Sequence, residues 1–337
     1  MCQNEIVARV YRGEGVESIH YGSIVVVNNK MEITHYVGDP EFFTQARSEA
    51  KPFQALPLIT SGAADHYKFS EKQIAITCGS HTGTDEHVEV VKANLAAAGN
   101  NESHLQCGVH PPLHYLTFDI RPSKDEVFSP LQHNCSGKHS GFLALARYID
   151  DDVKEYLNPA SKVQQMVLGA VSELYSYPKD KIKIGIDGCS APVFGMPIKQ
   201  AAIAYMRLAN EISDDPKMKE AIRRVKQAMT DHPEMVSGEG RFDLALARTF
   251  PGRVFNKVGA EAVEGFGFND PKIGIAVKIL DGNPRALYPV IMEVLKQLGL
   301  LEGADLKHLQ KYINPEITNF RKLVVGRIVA EFELKKA

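Results

Sequence analysis

The chain has 337 residues, of which 44% are apolar and 24% are charged, and its formal net charge is −2. This composition is that of a globular protein with enough apolar residues for a sizeable core. The 39 basic and 41 acidic residues are interspersed, so we expect neither nucleic acid nor a membrane surface as a partner. The start, MCQNEIVARVYRGEG, lacks the basic and then apolar pattern of a signal peptide.

Cysteine usage points to a reducing environment. The five cysteines are an odd number in a large chain: Cys2, Cys78, Cys107, Cys135 and Cys189. We therefore expect reduced thiols and a cytoplasmic protein. No apolar run approaches the about 18 residues that a membrane-spanning helix needs.

Strand-like patterns occupy both ends of the chain. Residues 5–38 predict three antiparallel strands, with a turn signal at Asn28-Asn29-Lys30. Further strands are predicted at residues 73–77, 183–186, 254–257, 272–279 and 323–329.

Helical periodicity dominates the middle of the chain. It predicts helices at residues 52–63, 85–98, 140–148, 161–175, 198–211, 216–230 and 281–298, and an irregular segment at residues 99–132. This order predicts an α+β fold in which both termini build one antiparallel-rich sheet and a helical lobe is inserted between them. We expect a single domain, residues 1–337, with the sheet lobe at about 1–50 and 250–337 and the helical lobe at about 51–249.

The stretch Arg47-Ser-Glu-Ala-Lys51-Pro-Phe53 carries a candidate reactive centre. Ser48 and Lys51 are three residues apart, so one helical turn would bring the amine within reach of the hydroxyl. A base beside a hydroxyl makes it nucleophilic, and burial or a second cation can lower the pKa of a lysine enough for that role. Because Lys51 precedes a proline, we expect this turn to be 3₁₀ or irregular. The ordinary alternative is a solvated lysine near a helix start.

Two further motifs contain sulfur and nitrogen donors. His133-Asn-Cys-Ser-Gly-Lys-His139 and Asp187-Gly-Cys189 supply two thiols and several nitrogens, a donor set that suits Zn²⁺. There is no CxxC spacing, so spacing alone favours two buried cysteines that act as small apolar side chains. Asn134 and Lys138 could equally belong to a loop that holds a substrate.

A second hydroxyl and a second lysine also stand out. Ser80 follows a predicted strand and Gly79, which permits a sharp turn. Lys257 precedes Val258-Gly259, where a ligand could approach the backbone closely. The ordinary alternatives are a helix cap for Ser80 and a solvated lysine for Lys257. An early Ser-x-x-Lys with a late Lys-x-Gly partly matches the signature of penicillin-recognising enzymes, although their Ser-Asp-Asn element is missing.

Seven ordered motifs together carry a family resemblance. They are Arg47-Ser-Glu-Ala-Lys51-Pro-Phe-Gln54, Cys78-Gly-Ser-His81, His133-Asn-Cys-Ser-Gly-Lys-His139, Asp187-Gly-Cys-Ser-Ala-Pro192, Arg241-Phe-Asp243, Lys257-Val-Gly-Ala-Glu261, and Gly274-Ile-Ala276 through Asp281-Gly282. With them the chain resembles the L-asparaginase II family, the rhizobial thermolabile type, from about residue 5 to residue 333. It does not look like the asparaginases that use a threonine nucleophile.

The resemblance implies a fold, an activity and a set of catalytic residues. The fold would be similar to that of serine β-lactamases and penicillin-binding proteins, and the reaction would convert L-asparagine into L-aspartate and ammonia. Two Ser–Lys pairs are implied as catalytic: Ser48 with Lys51, and Ser80 with Lys257. Members of the family are similar in forming homodimers.

The resemblance also implies a zinc ion on residues matching Cys135, Lys138 and Cys189. A lysine ligand is unusual and fits a lowered pKa of that lysine. One departure is visible, because the family's usual glycine after the Gly-Ala-Glu run is Ala262 here. This concerns the backbone near Glu261 rather than the chemistry.

Charge complementarity suggests how such an enzyme would hold an amino acid. Arg47 suits the α-carboxylate through a bidentate pair, and Asp187 or Glu261 suits the α-ammonium. The remaining candidate substrate contacts are His81, Asn134 and His139.

Two other functions remain open from the sequence. One is a related Ser–Lys amidohydrolase, such as a glutaminase or a β-lactam-binding hydrolase. The other is a non-catalytic zinc-binding protein that uses the cysteine pair to bind a partner. The two Ser–Lys pairs weigh against the second alternative, because a pure metal module has no use for them.

Overall fold

A computed structural model describes residues 4–337 of the chain. The strands are β1 (Glu5–Arg12), β2 (Gly15–Val27), β3 (Ile33–Val37), β4 (Phe43–Gln45), β5 (Lys183–Ile186), β6 (Pro192–Pro197), β7 (Val254–Gly259), β8 (Val263–Phe268), β9 (Ile273–Ile279), β10 (Glu316–Thr318), β11 (Val324–Ala330) and β12 (Lys335–Lys336). The helices are α1 (Lys51–Thr60), α2 (Ala63–His66), α3 (Glu71–Thr77), α4 (Asp85–Ala97), α5 (Leu113–Thr117), α6 (Ser136–Tyr148), α7 (Lys162–Leu174), α8 (Ile198–Ala209), α9 (Pro216–Asp231), α10 (Pro233–Val236), α11 (Phe242–Thr249) and α12 (Pro284–Gln297).

Two compact units make up the chain. The first comprises Met1–Glu49, Met196–Asn210 and Ala245–Ala337, and the second comprises Ala50–Gly195 and Glu211–Leu244.

The first unit is organised around an antiparallel sheet with strands from both ends of the chain. Its order is β10-β11-β1-β2-β9-β8-β7, and β3 pairs with both β2 and β12. Strand β2 is central because its first half pairs with β1, while Ile24–Val27 pair with β3 on one side and β9 on the other. Helix α8 packs on β2, β8 and β9, and helix α12 packs on β1, β9 and β11. The predicted α+β fold is confirmed.

The second unit is a helical bundle built around α1. Every residue of α1 from Lys51 to Ile59 is buried, and the helix packs against α6, α7 and α9. Pro52 lies in the first turn, where proline is tolerated because its missing N–H would have no partner. As expected, Ser48 lies in a 3₁₀ turn, Arg47–Ala50, which leads directly into α1.

One predicted strand is wrong. Residues 73–77 belong to α3, which starts after Ser70 and ends before Cys78. The hydroxyl of Ser70 accepts from the N–H of Gln73, and the Gln73 side chain accepts from the N–H of Ser70, which is a complete capping box. The Ser-x-x-Gln spacing was the sequence signal that could have predicted this helix. Because residues 73–77 are helical, Ser80 follows a helix rather than a strand.

Strand β8 was missed, because two of its six residues are Gly265 and Gly267. Both glycines are needed for the close approach of α8. A Cβ on Gly267 would lie 2.1 Å from the carbonyl oxygen of Tyr205, and a Cβ on Gly265 would lie 2.3 Å from the Tyr205 ring. Tertiary packing thus overrides the weak strand propensity of glycine.

The remaining predictions about the chain have simple outcomes. Residues 99–132 contain only short helical turns, as expected for an irregular segment. Cys78, Cys107, Cys135 and Cys189 are free thiols, whereas Cys2 lies outside the described residues. Among residues 4–337, none of the helices is both long and apolar enough to cross a membrane.

The capping box predicts the effect of a single substitution. Ser70→Ala should lower the free energy of unfolding by about 1 kcal/mol, because the N–H of Gln73 loses its acceptor. Urea denaturation followed by circular dichroism measures the change. Ser70→Thr keeps the capping oxygen and serves as the control; equal stability of the two variants would contradict the capping role.

Candidate active site

Lys51 is the buried polar centre of the helical unit. Its side chain is 1% exposed. The amine lies 2.6 Å from the carbonyl oxygen of Gly79, 2.9 Å from the hydroxyl of Ser80 and 3.4 Å from the carbonyl oxygen of Asn134. The ordinary alternative of a solvated lysine is therefore excluded.

These oxygen partners of Lys51 differ in what they can do. The carbonyl oxygens of Gly79 and Asn134 can only accept, so each takes an N–H of the amine. The hydroxyl of Ser80 can also donate, so it can give its proton to Lys51 when the amine is neutral. Lys51 and Ser80 therefore form a buried pair with a short path for one proton.

A hydrogen bond within the sheet unit stabilises the turn that carries Ser48. The hydroxyl of Tyr205, on α8, donates to the carbonyl oxygen of Glu49 at 2.8 Å, and both residues are fully buried. The space for this contact is created by Gly265, where a Cβ would lie 2.7 Å from a carboxylate oxygen of Glu49. Ser48 itself is half-buried. Tyr205 is a residue that sequence reasoning missed.

The predicted metal ligands lie together in the helical unit. The Lys138 amine donates to the Cys189 sulfur at 3.1 Å, and Cys135, Lys138 and Cys189 are all buried. The neighbouring Cys135 thiol lowers the pKa of Cys189 far below its usual value, and Lys138 lowers it further, against the effect of burial. Cys189, together with burial, raises the pKa of Cys135 well above its ordinary range. These directions favour a thiolate at Cys189 beside a thiol at Cys135 and an ammonium at Lys138.

Without a bound metal, the pKa of Lys138 is raised rather than lowered. Burial is the largest single effect and lowers the pKa of Lys138, but the charges and hydrogen bond of Cys189, together with Cys135 and Asp187, outweigh it in sum, so the pKa is raised. A metal would have to displace the proton of this amine. The cysteine sulfurs nevertheless suit Zn²⁺, and a deprotonated Lys138 would add a nitrogen donor.

A neighbouring ring adds to this donor set. The Nε2 atom of His139 is buried and has no hydrogen-bond partner. Burial lowers the pKa of this ring, whereas the nearby Cys189 acts to raise it. The other ring nitrogen lies 2.7 Å from the hydroxyl of Tyr156. Within residues 4–337, His, Cys, Asp and Glu alone form no cluster of three or more that could hold a metal. A three-ligand site therefore needs the amine of Lys138.

The other predicted substrate contacts in this unit have protein partners. The Nδ1 atom of His81 accepts from the N–H of Gly83, so its Nε2 atom donates to the hydroxyl of Ser136. Burial lowers the pKa of His81 well below its ordinary value, so the ring is neutral. The Asn134 side chain contacts His110 at 3.0 Å. Asp187 is half-buried, and its carboxylate accepts from the N–H of Gly188.

The predicted residues of the sheet unit occupy β7 and two turns. Lys257 lies within β7 and is fully buried, which excludes a solvated lysine at this position. Arg47 and Glu261 line a recess of about 270 Å³ that is also lined by Lys278. Arg47, Glu261 and Ala262 have φ angles of 54°, 63° and 52°. Such left-handed backbone is costly for residues other than glycine and is concentrated at functional sites.

A comparison with known families decides the relationship. A family model described as L-asparaginase II matches residues 8–330, nearly the whole chain. The chain belongs to the L-asparaginase II family. Membership of the L-asparaginase II family supports an amidohydrolase type of activity and confirms the resemblance seen in the motifs. No curated protein matches the chain.

Solved structures give weaker likenesses. Mglu in its native form is 15% identical, with 85% of this chain and 66% of that chain covered and a TM-score of 0.44. A putative β-lactamase from Bacteroides dorei is 10% identical, with 82% and 93% covered and a TM-score of 0.42. A β-lactamase/D-alanine carboxypeptidase from Pseudomonas syringae is 11% identical, with 86% and 94% covered and a TM-score of 0.41. The chain thus spans just under two thirds of Mglu, and likenesses at these scores carry no argument about activity.

The contact between Tyr205 and Glu49 predicts the effect of a conservative change. Tyr205→Phe should lower the free energy of unfolding by about 1–3 kcal/mol, because the buried carbonyl of Glu49 loses its donor. It should also speed amide hydrogen exchange in the turn Arg47–Ala50. The control is Tyr21→Phe on the exposed part of β2, which should change neither; unaltered exchange in Tyr205→Phe would show that this contact does not hold the turn.

Proposed function

We propose that the protein is an L-asparaginase that hydrolyses L-asparagine to L-aspartate and ammonia through an acyl-enzyme on Ser48. The observation that carries this proposal is the buried pair of Lys51 and Ser80 in a chain of the L-asparaginase II family. A lysine shielded from water and hydrogen-bonded to a hydroxyl is a way to activate a serine without histidine. The spacing of Ser48 and Lys51 adds a second hydroxyl one turn away in sequence.

The proposed first half-reaction moves one proton and forms one bond. The Oγ atom of Ser48 attacks the side-chain carbonyl carbon of asparagine while its proton passes to Lys51. Backbone N–H groups near Ser48 stabilise the oxyanion. The carbon–nitrogen bond then breaks, Lys51 returns the proton to the leaving nitrogen, and ammonia departs.

The second half-reaction restores the enzyme. Water adds to the acyl carbon and gives a proton to Lys51, and the ester bond to Ser48 then breaks, so that aspartate leaves and the serine regains its proton. Ser80 passes the proton to and from Lys51, and Lys257 acts with Ser80 in this relay. The hydroxyl of Ser80 suits this role because it can both accept and donate.

Substrate recognition in this proposal rests on opposite charges. Arg47 binds the α-carboxylate, and Asp187 or Glu261 binds the α-ammonium. Contacts to the rest of the substrate come from Asn134, His81 and His139. The two histidines are buried and have low pKa values, so they would act as neutral hydrogen-bonding groups.

We also propose that Cys135, Lys138 and Cys189 hold a zinc ion. Two sulfurs and an amine leave a fourth tetrahedral position open. The ion would supply positive charge and link the loop before α6 to the loop after β5, in a structural or modulating role. A homodimer and a cytoplasmic location are likewise proposed; light scattering of the purified protein tests the first and cell fractionation tests the second.

The serine assignment predicts two different losses of activity. Ser48→Ala should lower kcat for L-asparagine by about 10⁴-fold or more, because no acyl-enzyme can form. Ser80→Ala should lower kcat by about 10²- to 10⁴-fold, because proton transfer slows while the nucleophile remains. A coupled assay of ammonia release measures both, with L-glutamine as the competing substrate.

Covalent labelling separates the two serines. A diazoketone analogue of L-asparagine should label Ser48 in the wild type and in Ser80→Ala, and mass spectrometry of peptides locates the label. The exposed Ser103→Ala variant is the control and should behave as the wild type. Near-normal ammonia release by Ser48→Ala, or a label on Ser80, would overturn the nucleophile assignment. Faster turnover of L-glutamine than of L-asparagine would show that the enzyme is a glutaminase instead.

The zinc assignment predicts a loss of metal. Cys189→Ser should weaken zinc binding by at least about 100-fold, because a thiolate ligand is removed. Dialysis followed by elemental analysis measures the zinc retained per chain. Cys78→Ala is the control, since burial raises the pKa of Cys78 to about 12 and keeps it a thiol. Equal zinc in the two variants, or none in the wild type, would contradict the site.

A further inference from the structure

Lys278 is a buried cation that the proposed mechanism does not use. It lies on β9 in the sheet unit and is 7% exposed. Its amine donates one short hydrogen bond, to the carbonyl oxygen of Glu261. Within residues 4–337 it has no ion pair and no other hydrogen bond, so two of its three N–H groups have no acceptor in the protein.

Burying a charged amine with only one hydrogen-bond partner in the protein is energetically unfavourable. Burial lowers the pKa of Lys278, and the nearby charge of Arg47 lowers it further, although Glu261 and Asp281 act in the opposite direction. A buried charge is tolerated when a partner of opposite sign completes its hydrogen bonds. The protein provides only a carbonyl oxygen, so the remaining N–H groups of Lys278 are available to water or to an anion in the adjoining recess.

The recess beside Lys278 shows where this anion would lie. Lys278, Arg47 and Glu261 line a recess of about 270 Å³, and Phe42 and Phe43 form another part of its wall. Two cations thus face a space large enough for one end of a small molecule. Arg47 immediately precedes Ser48, the proposed nucleophile, in the sequence.

Glu261 supplies the opposite charge at the same recess. Its carboxylate lies against the backbone of Gly282, where a Cβ would be 2.3 Å from an oxygen and where φ is 73°. Gly282 therefore leaves room for this carboxylate, and Glu261 makes no ion pair with Lys278. Two cations and one exposed carboxylate complement the carboxylate and ammonium that a free amino acid carries on its α-carbon.

We propose that Lys278, together with Arg47, binds the α-carboxylate of the amino-acid substrate and so restricts the enzyme to free amino acids. This specificity role rests on the proposed function, because it concerns the substrate of the same reaction. Lys278 would add two hydrogen bonds from a buried cation to the carboxylate. An asparagine whose α-carboxylate is esterified or joined in a peptide bond would leave those N–H groups unpaired.

The test compares L-asparagine with its α-methyl ester. The wild type should prefer the free acid by about 10- to 100-fold or more in kcat/KM, the range expected for hydrogen bonds to a charged group. In Lys278→Met, KM for L-asparagine should rise by about 10- to 100-fold with kcat within about threefold, while KM for the ester stays the same. Lys278→Arg keeps the charge and should retain most of the preference.

A matched control separates this role from a structural one. Lys272→Met, at an exposed position just before β9, should leave both substrates unaffected. If Lys278 only holds the loop through Glu261, Lys278→Met will change the two substrates by the same factor. That result would overturn the proposal, as would a wild type that does not distinguish the free acid from the ester.

Equilibrium binding keeps the test independent of turnover. Calorimetry with L-aspartate and its α-methyl ester should show a preference for the free acid that Lys278→Met loses. If the wild type releases no ammonia from L-asparagine, the asparaginase proposal fails while this measurement still tests the recess. Equal binding of the two ligands by the wild type, or an undiminished preference in Lys278→Met, would overturn the role of Lys278.

Discussion

The burial of one amine organises the helical unit. Lys51 lies in the first turn of α1, and its amine is removed from water. This burial is unfavourable unless protein oxygen atoms replace the lost hydration. The oxygens come from Gly79 and Ser80, which follow α3, and from Asn134, which precedes α6. These segments must therefore meet at the start of α1, and the loops between the helices are arranged to bring them there.

Three of the four buried lysines among residues 4–337 meet the cost of burial in different ways. Lys51 lies within hydrogen-bonding distance of the neutral oxygens of Gly79, Ser80 and Asn134, and the hydroxyl of Ser80 can exchange a proton with it. Lys138 lies beside the thiolate of Cys189, which holds the proton and raises its pKa. Lys278 has one carbonyl partner and an adjoining recess. The first environment suits proton transfer, the second suits a site where a metal replaces a proton, and the third suits an anionic ligand.

Backbone strain and small side chains mark the same regions of the sheet unit. Gly265 makes room for the ring of Tyr205, which in turn supports the carbonyl of Glu49 in the turn with Ser48. Ala262, where the family resemblance led us to expect glycine, has a φ of 52°, a left-handed conformation that glycine adopts more readily than alanine. The alanine therefore carries a strain that glycine would avoid, next to the recess that Glu261 lines.

Local sequence signals were sufficient where local forces dominate. The alternating and apolar patterns at both ends correctly predicted strands, because a half-buried or buried strand needs them wherever it lies. These patterns failed at residues 73–77, where a capping box and helix packing outweigh the strand preference of the β-branched residues. They also failed at β8, where the glycines are required by the close packing of α8 and weaken the strand pattern. In both places the secondary structure is decided by a contact with a backbone group or a packed helix, which the alternation of apolar and polar residues does not reveal.

The sequence by itself determined the α+β class, the chemical types of the candidate site and the family, because element periodicity and ordered motifs are properties of neighbouring residues. Only the tertiary structure decided that Lys51 contacts Ser80, 29 residues away, and Asn134, 83 residues away. It also decided that the pKa of Lys138 is raised and that Lys278 lines a recess. A side chain's charge state and partners depend on burial and on distant segments, and these exist only once the chain has folded.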